Sequence, residues 1–217
     1  SWSVPGGFDG LTGSMRLKHR LDNGWMWTTQ VGAQRLKTDD RLSYAYGCYA
    51  EGNYDRFCID KTFDIYDYRS ENERRLSDAL QTELTGQLQL AGLQHDVSIS
   101  WLRQRQIDVL SPMQAYNWAG TGSLTGFSES AASPEPYDLN TNRQEYATEI
   151  SVKDRIRVHQ FADLWMGVRS SHIQRNSQRT DGSQATHDER TITTPWLAFS
   201  HKLPLNSTGY ASYGQGV

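Results

Sequence analysis

The chain has 217 residues, a formal net charge of −3, 36% hydrophobic residues and 11% aromatics, with seven Trp and eleven Tyr. A mean hydropathy of −0.70 and the lack of an 18-residue apolar run exclude a helical membrane span, though not a membrane barrel, whose strands alternate lipid-facing and lumen-facing residues. The near-neutral charge gives no reason to expect nucleic acid.

Period two dominates the chain. From Leu11 to Leu21 the odd positions are Leu11, Gly13, Met15, Leu17, His19 and Leu21, against Thr12, Ser14, Arg16, Lys18 and Arg20. Asp22-Asn23-Gly24 then marks a tight hairpin turn, because Asn-Gly tolerates positive φ. Trp25-Met26-Trp27 opens the return strand, whose odd positions continue Thr29, Val31 and Ala33. Next come Cys48 and Cys58, flanking a polar, aromatic stretch. Two cysteines ten apart in a loop point to a disulfide and an oxidising compartment, with two unpaired thiols as the alternative. Such a bridge stabilises its loop by about 3 kcal/mol in the chain-entropy model. A metal site is disfavoured, since no His or further Cys stands at ligand spacing.

Leu76 to Leu90 repeats the pattern, with Leu76, Leu80, Thr82, Leu84, Leu88 and Leu90 on one face and Gln81, Glu83, Thr85, Gln87 and Gln89 on the other. A bend at Ala91-Gly92 leads to Leu93, Val97, Ile99 and Trp101. Tyr146, Thr148, Ile150 and Val152 form one later run, and Ala162, Leu164, Met166 and Val168 another. The last runs are Thr191–His201 and Gly209–Val217. About eight strands result, and a helical reading is weaker. Short connections are expected at Asp22–Gly24, near Gly92, at Lys153–Arg157 and at Leu203–Thr208; long ones at roughly 39–62, 107–142 and 175–190. Short and long alternate, as in an outer-membrane barrel with periplasmic turns and extracellular loops. A loop of about 35 residues is unusual in a compact soluble domain. Trp25 and Trp27 beside a short turn suit an interfacial aromatic girdle. A soluble sandwich would alternate as well, with its polar face in solvent.

Three stretches resemble hairpins of the TonB-dependent outer-membrane receptors, in the ferric-siderophore branch. Asp154-Arg-Ile-Arg157 followed by Leu164-Trp-Met-Gly-Val-Arg169 is one. Thr194-Pro-Trp-Leu-Ala-Phe-Ser-His201 with Gly209-Tyr-Ala-Ser-Tyr-Gly214 is the second. Leu84-Thr-Gly86 to His95-Asp96 is the third. Their order and spacing match, and the resemblance covers most of 1–217. The chain departs from the family at Trp196, where Arg is frequent, and after Asp96, which lacks the usual Gly. The resemblance implies an all-β, antiparallel, up-and-down transmembrane barrel, of which 1–217 would supply about eight of about 22 strands. The plug, the TonB box and the closing strands would lie elsewhere. A start at Ser1 without Met, and an end in a strand-like run at Val217, fit a piece of something larger.

The family implies a transporter, not an enzyme. It implies passage of a ferric siderophore into the periplasm, with the chelate as cargo, no cofactor, outer-membrane lipid around the barrel and the TonB complex as partner through the plug. Aromatic surfaces and polar donors suit an iron chelate. The first long loop offers Tyr44, Tyr46, Tyr49, Tyr54, Arg56 and Phe57; the second offers Tyr116, Asn117, Trp118, Phe127 and Tyr137. The Cys48–Cys58 bridge would rigidify the first. Arg16, Lys18, Arg20, Glu83, Glu145 and Glu149 read as lumen-facing wall charges rather than a catalytic pair. The six His show no HxxxH or HxH spacing, and Asp55, Asp60, Asp64 and Asp67 lack the pattern of a calcium loop. Two other readings stay open: a closed eight-stranded structural barrel, and a secreted aromatic-rich β-sandwich that binds carbohydrate.

Overall fold

The computed structural model describes residues 3–126, 128 and 135–215, so Phe127 and Val217 lie outside the described residues. The strands are β1 (Gly7–Arg20), β2 (Met26–Ala45), β3 (Thr62–Leu90), β4 (Leu93–Val109), β5 (Met113–Ser123), β6 (Asp138–Leu139), β7 (Thr141–His159), β8 (Ala162–Arg179), β9 (Thr186–Leu203) and β10 (Ser207–Gly214). All ten belong to one antiparallel sheet. Eight follow one another as β1-β2-β3-β4-β7-β8-β9-β10, the expected up-and-down order. The other two are additions: β5 pairs with the upper part of β3, and β6 with β5. Among the described residues β1 and β10 each have a single neighbour, so the sheet is open. One open sheet corrects both the closed eight-stranded barrel and the two-layered sandwich.

The register sorts the side chains into two unlike faces. One row across the sheet reads Lys18, Thr28, Glu83, Ser100, Ser151, Arg169 and Thr194. The adjacent row, on the opposite face, reads His19, Trp27, Leu84, Ile99, Val152, Val168 and Pro195. The polar side chains satisfy one another laterally. Ser98 Oγ donates to Glu83 Oε1 at 2.7 Å, Ser100 and Ser151 share a bond at 2.7 Å, and Ser171 Oγ donates to Glu149 Oε1 at 2.9 Å. Concavities of the sheet open on this face; one of about 690 Å³ is lined by Ser100, Glu149, Arg169, Ser171 and Trp196. The polar face is therefore the inside of the curve. The apolar face is the outside and is uncovered, with Ile99 45%, Ile150 56%, Val168 42% and Leu197 46% exposed. Among the described residues few apolar side chains are buried, and all but Ile65 are small, such as Ala115, Ala147 and Ala162.

The apolar band has a lower and an upper limit. Near the short turns, Trp25 lies across Gly86 on the outer face, and Trp27 Nε1 donates to Thr82 Oγ1 at 2.7 Å. Higher up, Arg103 and Arg105 take over the same face, held by Thr148 and Asp78 respectively. On β3 the apolar outer positions run from Leu80, opposite Arg103, to Leu88, two residues below Gly86, about 20 Å at an ordinary strand rise and barrel tilt. A Cβ on Gly86 would sit 2.1 Å from the Trp25 ring. Gly86→Val should therefore displace Trp25 and cost about 1–3 kcal/mol by overpacking. Denaturant unfolding with tryptophan emission as the signal measures it; an unmoved midpoint and spectrum would remove this packing contact from the account.

Several expected connections are corrected. The charged run Lys153–Arg157 is strand, and the chain turns instead at Gln160-Phe161. Two of its charges are paired within the sheet: Asp154 with His95 at 2.6 Å, and Arg155 with Asp163 at 2.8 Å, while Arg155 also lies 4.8 Å from the Trp165 ring. The long loop expected at 175–190 shrinks to 180–185. Above the apolar band both faces are wet, so the alternation that reveals a strand fades while the hydrogen-bond ladder continues. Arg175–Glu145 at 2.6 Å and Ser177–Thr186 at 2.7 Å cross that ladder on the polar face. The segments 39–62 and 107–142 also hold strand: β2 runs to Ala45, and β5 and β6 occupy part of the second.

Candidate functional site

β3 is 29 residues long and rises well past the apolar band. Its upper part, from Thr62 to Arg69, is flanked by β2 on one side and β5 on the other. This three-stranded ribbon carries the loop 46–61 at its tip.

A bulge joins ribbon and wall. Thr38 pairs with Glu73, but Asp40 pairs with Ser70, so Asp39 is extra on β2 and Glu71 and Asn72 are extra on β3. Asn72 takes φ 61°, and its N–H donates to Asp39 Oδ1 at 2.6 Å. Unequal insertion reverses the parity of β3. Below the bulge its odd residues share the polar inner face; above it the even residues do. Glu73 marks the join. It is buried and accepts from Ser70 Oγ at 2.6 Å, Thr38 Oγ1 at 3.2 Å and Arg75 Nη2 at 2.8 Å, tying residues from both sides of the bulge to one face.

Aromatic rings line that face above the join. Tyr46 meets Tyr44 at 6.4 Å, Tyr54 at 6.2 Å and Tyr66 at 5.8 Å between ring centroids. Tyr66 stacks on Tyr116 at 5.6 Å. Tyr68 and Ser70 stand on the same face below them. Trp118 pairs with Tyr66 in the register, and its Nε1 donates to Asp64 Oδ1 at 3.0 Å. The other oxygen of the buried Asp64 accepts the backbone N–H of Tyr49 and anchors the loop. Burial pushes the Tyr44 phenol well above its ordinary value, with the Tyr116 phenol as the second cause; burial likewise raises Tyr66 and Tyr68. The shelf therefore offers phenols rather than phenolates. On its reverse side Asp67, 2% exposed, accepts the N–H of Asn117 at 3.0 Å and fastens β5 to β3.

The loop is folded. Cys48 and Cys58 form a disulfide with Cα atoms 5.2 Å apart. Cys48 is fully buried and pairs through its backbone with Asn53 at 2.8 and 3.1 Å. Tyr49–Glu51 makes a 3-10 turn, and Glu51 Oε1 accepts the N–H of Ile59 at 2.8 Å. Gly47, at φ 68°, leaves no room for a Cβ, which would lie 2.7 Å from Tyr54 Cα. The Sγ atoms of Cys48 and Cys58 lie within ligating reach of a Glu51 oxygen, but the disulfide has taken both sulfurs.

Of the residues picked out in the sequence, Tyr44, Tyr46, Tyr54 and Tyr116 come together in one chain of rings, with Trp118 beside it. Tyr137 joins by donating its hydroxyl to Tyr116 O at 2.7 Å. Phe57 packs instead on Phe63 at 4.9 Å, outside that chain. Tyr49 is fixed through its backbone with its ring exposed, and Arg56 through its N–H to Asn53 at 3.3 Å. Sequence reasoning missed Tyr66, Tyr68 and Asp64. Their signal was present in Asp64-Ile65-Tyr66-Asp67-Tyr68, between the connection expected at 39–62 and the strand run expected from Leu76, where no element was assigned.

No family model matches the chain, and no curated protein matches it. Solved structures do match its fold. The ferric-catecholate import receptor Fiu from E. coli K12, in its open form, aligns over 98% of this chain with a TM-score of 0.75 and 15% identity. The siderophore receptor PiuA from Acinetobacter baumannii aligns over 95% with a TM-score of 0.74 and 13% identity. The ferripyoverdine receptor of the outer membrane of Pseudomonas aeruginosa, bound to ferripyoverdine, aligns over 94% with a TM-score of 0.67 and 17% identity. These three are receptors rather than enzymes. The likeness covers 36%, 32% and 26% of their lengths, so the chain spans about a quarter to a third of each. It carries their barrel fold as an open section of the wall.

Proposed function

We propose that the chain is part of the barrel of an outer-membrane receptor that takes a ferric siderophore into the periplasm. The aromatic shelf on β2, β3 and β5 would be a docking surface for the chelate, with TonB supplying the drive through a plug held elsewhere in the protein. The observation that carries this reading is the placement of the shelf. The bulge brings the rings onto the same face as the polar inner wall, so a chelate resting on them stands over the interior.

Three further features support it. The uncovered apolar band, bounded by tryptophans below and arginines above, needs a non-aqueous neighbour, and lipid supplies one. The inner face carries paired polar side chains of the kind that contact a plug. Rings and protonated phenols recognise a finished chelate by stacking and hydrogen bonding, without entering the coordination of the iron.

The test uses the whole protein in its own host. Cells starved of iron should lose uptake of radio-labelled ferric siderophore when the gene is deleted, and regain it from a plasmid copy. Removing TonB should abolish uptake but leave binding at the surface. Uptake that is indifferent to the deletion, with no siderophore bound by the purified protein, would sink the proposal. In the same preparation the protein should need detergent and should migrate differently on gels before and after boiling.

A further inference from the structure

The charge around the shelf limits which chelate it suits. Asp64 is buried beneath Trp118, and both of its oxygens accept from neutral donors, the Trp118 indole and the Tyr49 amide. Asp67 lies behind the same strand and accepts only a backbone N–H. Asp40 stands at the foot of the shelf, opposite Ser70. Among the described residues none of these three carboxylates enters an ion pair. Glu73 is paired with the guanidinium of Arg75 at 2.8 Å. Arg41 and Arg69 share Glu71 at 3.5 and 2.8 Å. Arg56 and Lys61 belong to the loop above the shelf. The rings add to the imbalance, because their faces carry negative quadrupole potential.

We infer, on the siderophore-receptor reading above, that the shelf selects ferric chelates without negative charge, the trihydroxamate class and above all those bearing a free ammonium, over triply negative tricatecholates. Three hydroxamates cancel the charge of ferric iron, whereas three catecholates leave three negative charges. A trianion resting on the rings would face Asp40 and Asp64, with Asp67 behind them on the far side of the same strand. A trihydroxamate presents methylene and amide surface to the rings and carbonyl oxygens to the phenols. An ammonium tail gains cation–π contact and attraction to the same carboxylates.

The whole receptor, purified in detergent, is titrated with ferrioxamine B, a singly positive trihydroxamate, and with ferric enterobactin, a trianionic tricatecholate. Quenching of intrinsic fluorescence gives both affinities. Ferrioxamine B should bind at least about tenfold more tightly, and raising the salt should narrow the gap. Asp64→Asn and, separately, Asp40→Asn should narrow it further, by weakening ferrioxamine B and strengthening ferric enterobactin. Asp40→Asn guards against a folding defect in the first variant, since Asp40 holds no loop anchor. Tighter binding of ferric enterobactin, or a gap that neither variant moves, overturns the inference while leaving the receptor reading in place. Binding of neither probe overturns the inference too; whether the receptor reading falls with it is decided by the uptake experiment on deleted cells.

Discussion

Tyr66→Ala should weaken chelate binding about thirtyfold or more, whereas Tyr66→Phe should change it by less than about threefold. Tyr66 is the hinge of the ring chain. Among the described residues its ring is the one packed on the rings of both Tyr46 and Tyr116, so it joins the rings of β2 to those of β5 by stacking. Each aromatic pair contributes about 0.5–1.5 kcal/mol beyond its buried area, and truncation to alanine removes two of them along with the ring itself. The total is about 2–3 kcal/mol, enough for the predicted loss of affinity. Phenylalanine keeps both contacts and loses one hydroxyl at the surface. Radio-iron uptake and fluorescence titration on the whole receptor read the comparison. If phenylalanine fails as badly as alanine, hydrogen bonding rather than stacking holds the chelate. If alanine binds normally, the shelf is not the docking surface.

The second large effect concerns the Cys48–Cys58 bridge. Replacing both cysteines by serine should leave the thermal midpoint of the barrel unchanged and make the loop 46–61 about a hundredfold more prone to opening. In the chain-entropy model a loop of this length is worth about 3 kcal/mol. That energy resides in a segment above the wall, and local opening need not pass through global unfolding. Without the bridge the loop keeps the Cys48–Asn53 backbone pairing, the Glu51 contact to Ile59 and the Phe57–Phe63 contact. Limited proteolysis under native conditions should therefore nick the variant within 46–61 and spare the strands. Equal protease resistance with and without the bridge would show that those remaining contacts suffice. Chelate affinity should fall with the bridge, because Tyr54 and the Tyr49 anchor would then be ordered at the expense of binding.

How much of this was legible in the sequence depends on height above the short turns. In the wall, one face is apolar and the other polar, so Leu11 to Leu21 and Leu76 to Leu90 announced their strands by composition alone. Asn23-Gly24 and Ala91-Gly92 fixed two of the turns. The resemblance to siderophore receptors rested on hairpins from this same zone, and the fold agrees with it. Higher up, both faces are wet. Ser177, Thr186 and Arg175 sit in regular ladder positions that hydrophobicity cannot register, so 175–190 reads as loop until the hydrogen bonds are seen. The misplaced turn at Lys153–Arg157 has another cause: two charges that look like solvent residues are partnered within the sheet. The disulfide was legible from spacing. The shelf was half legible, because its tyrosines and Trp118 stand out by type, whereas Tyr66 and Tyr68 needed the pairing of β3 with both neighbours. The parity reversal at Asn72 was hidden altogether, since no residue type encodes an unequal insertion.

That reversal restricts how the ribbon can change length. Adding one residue to β3 between Tyr68 and Ser70 would turn Tyr66 and Tyr68 to the back and bring Asp67 forward, replacing a ring surface by a bare carboxylate. A second added residue on the same strand would restore them. Descendants of this sequence should therefore lengthen or shorten the ribbon by two residues at a time, or place a single insertion only in the loop at its tip, where the pleat imposes no front and back.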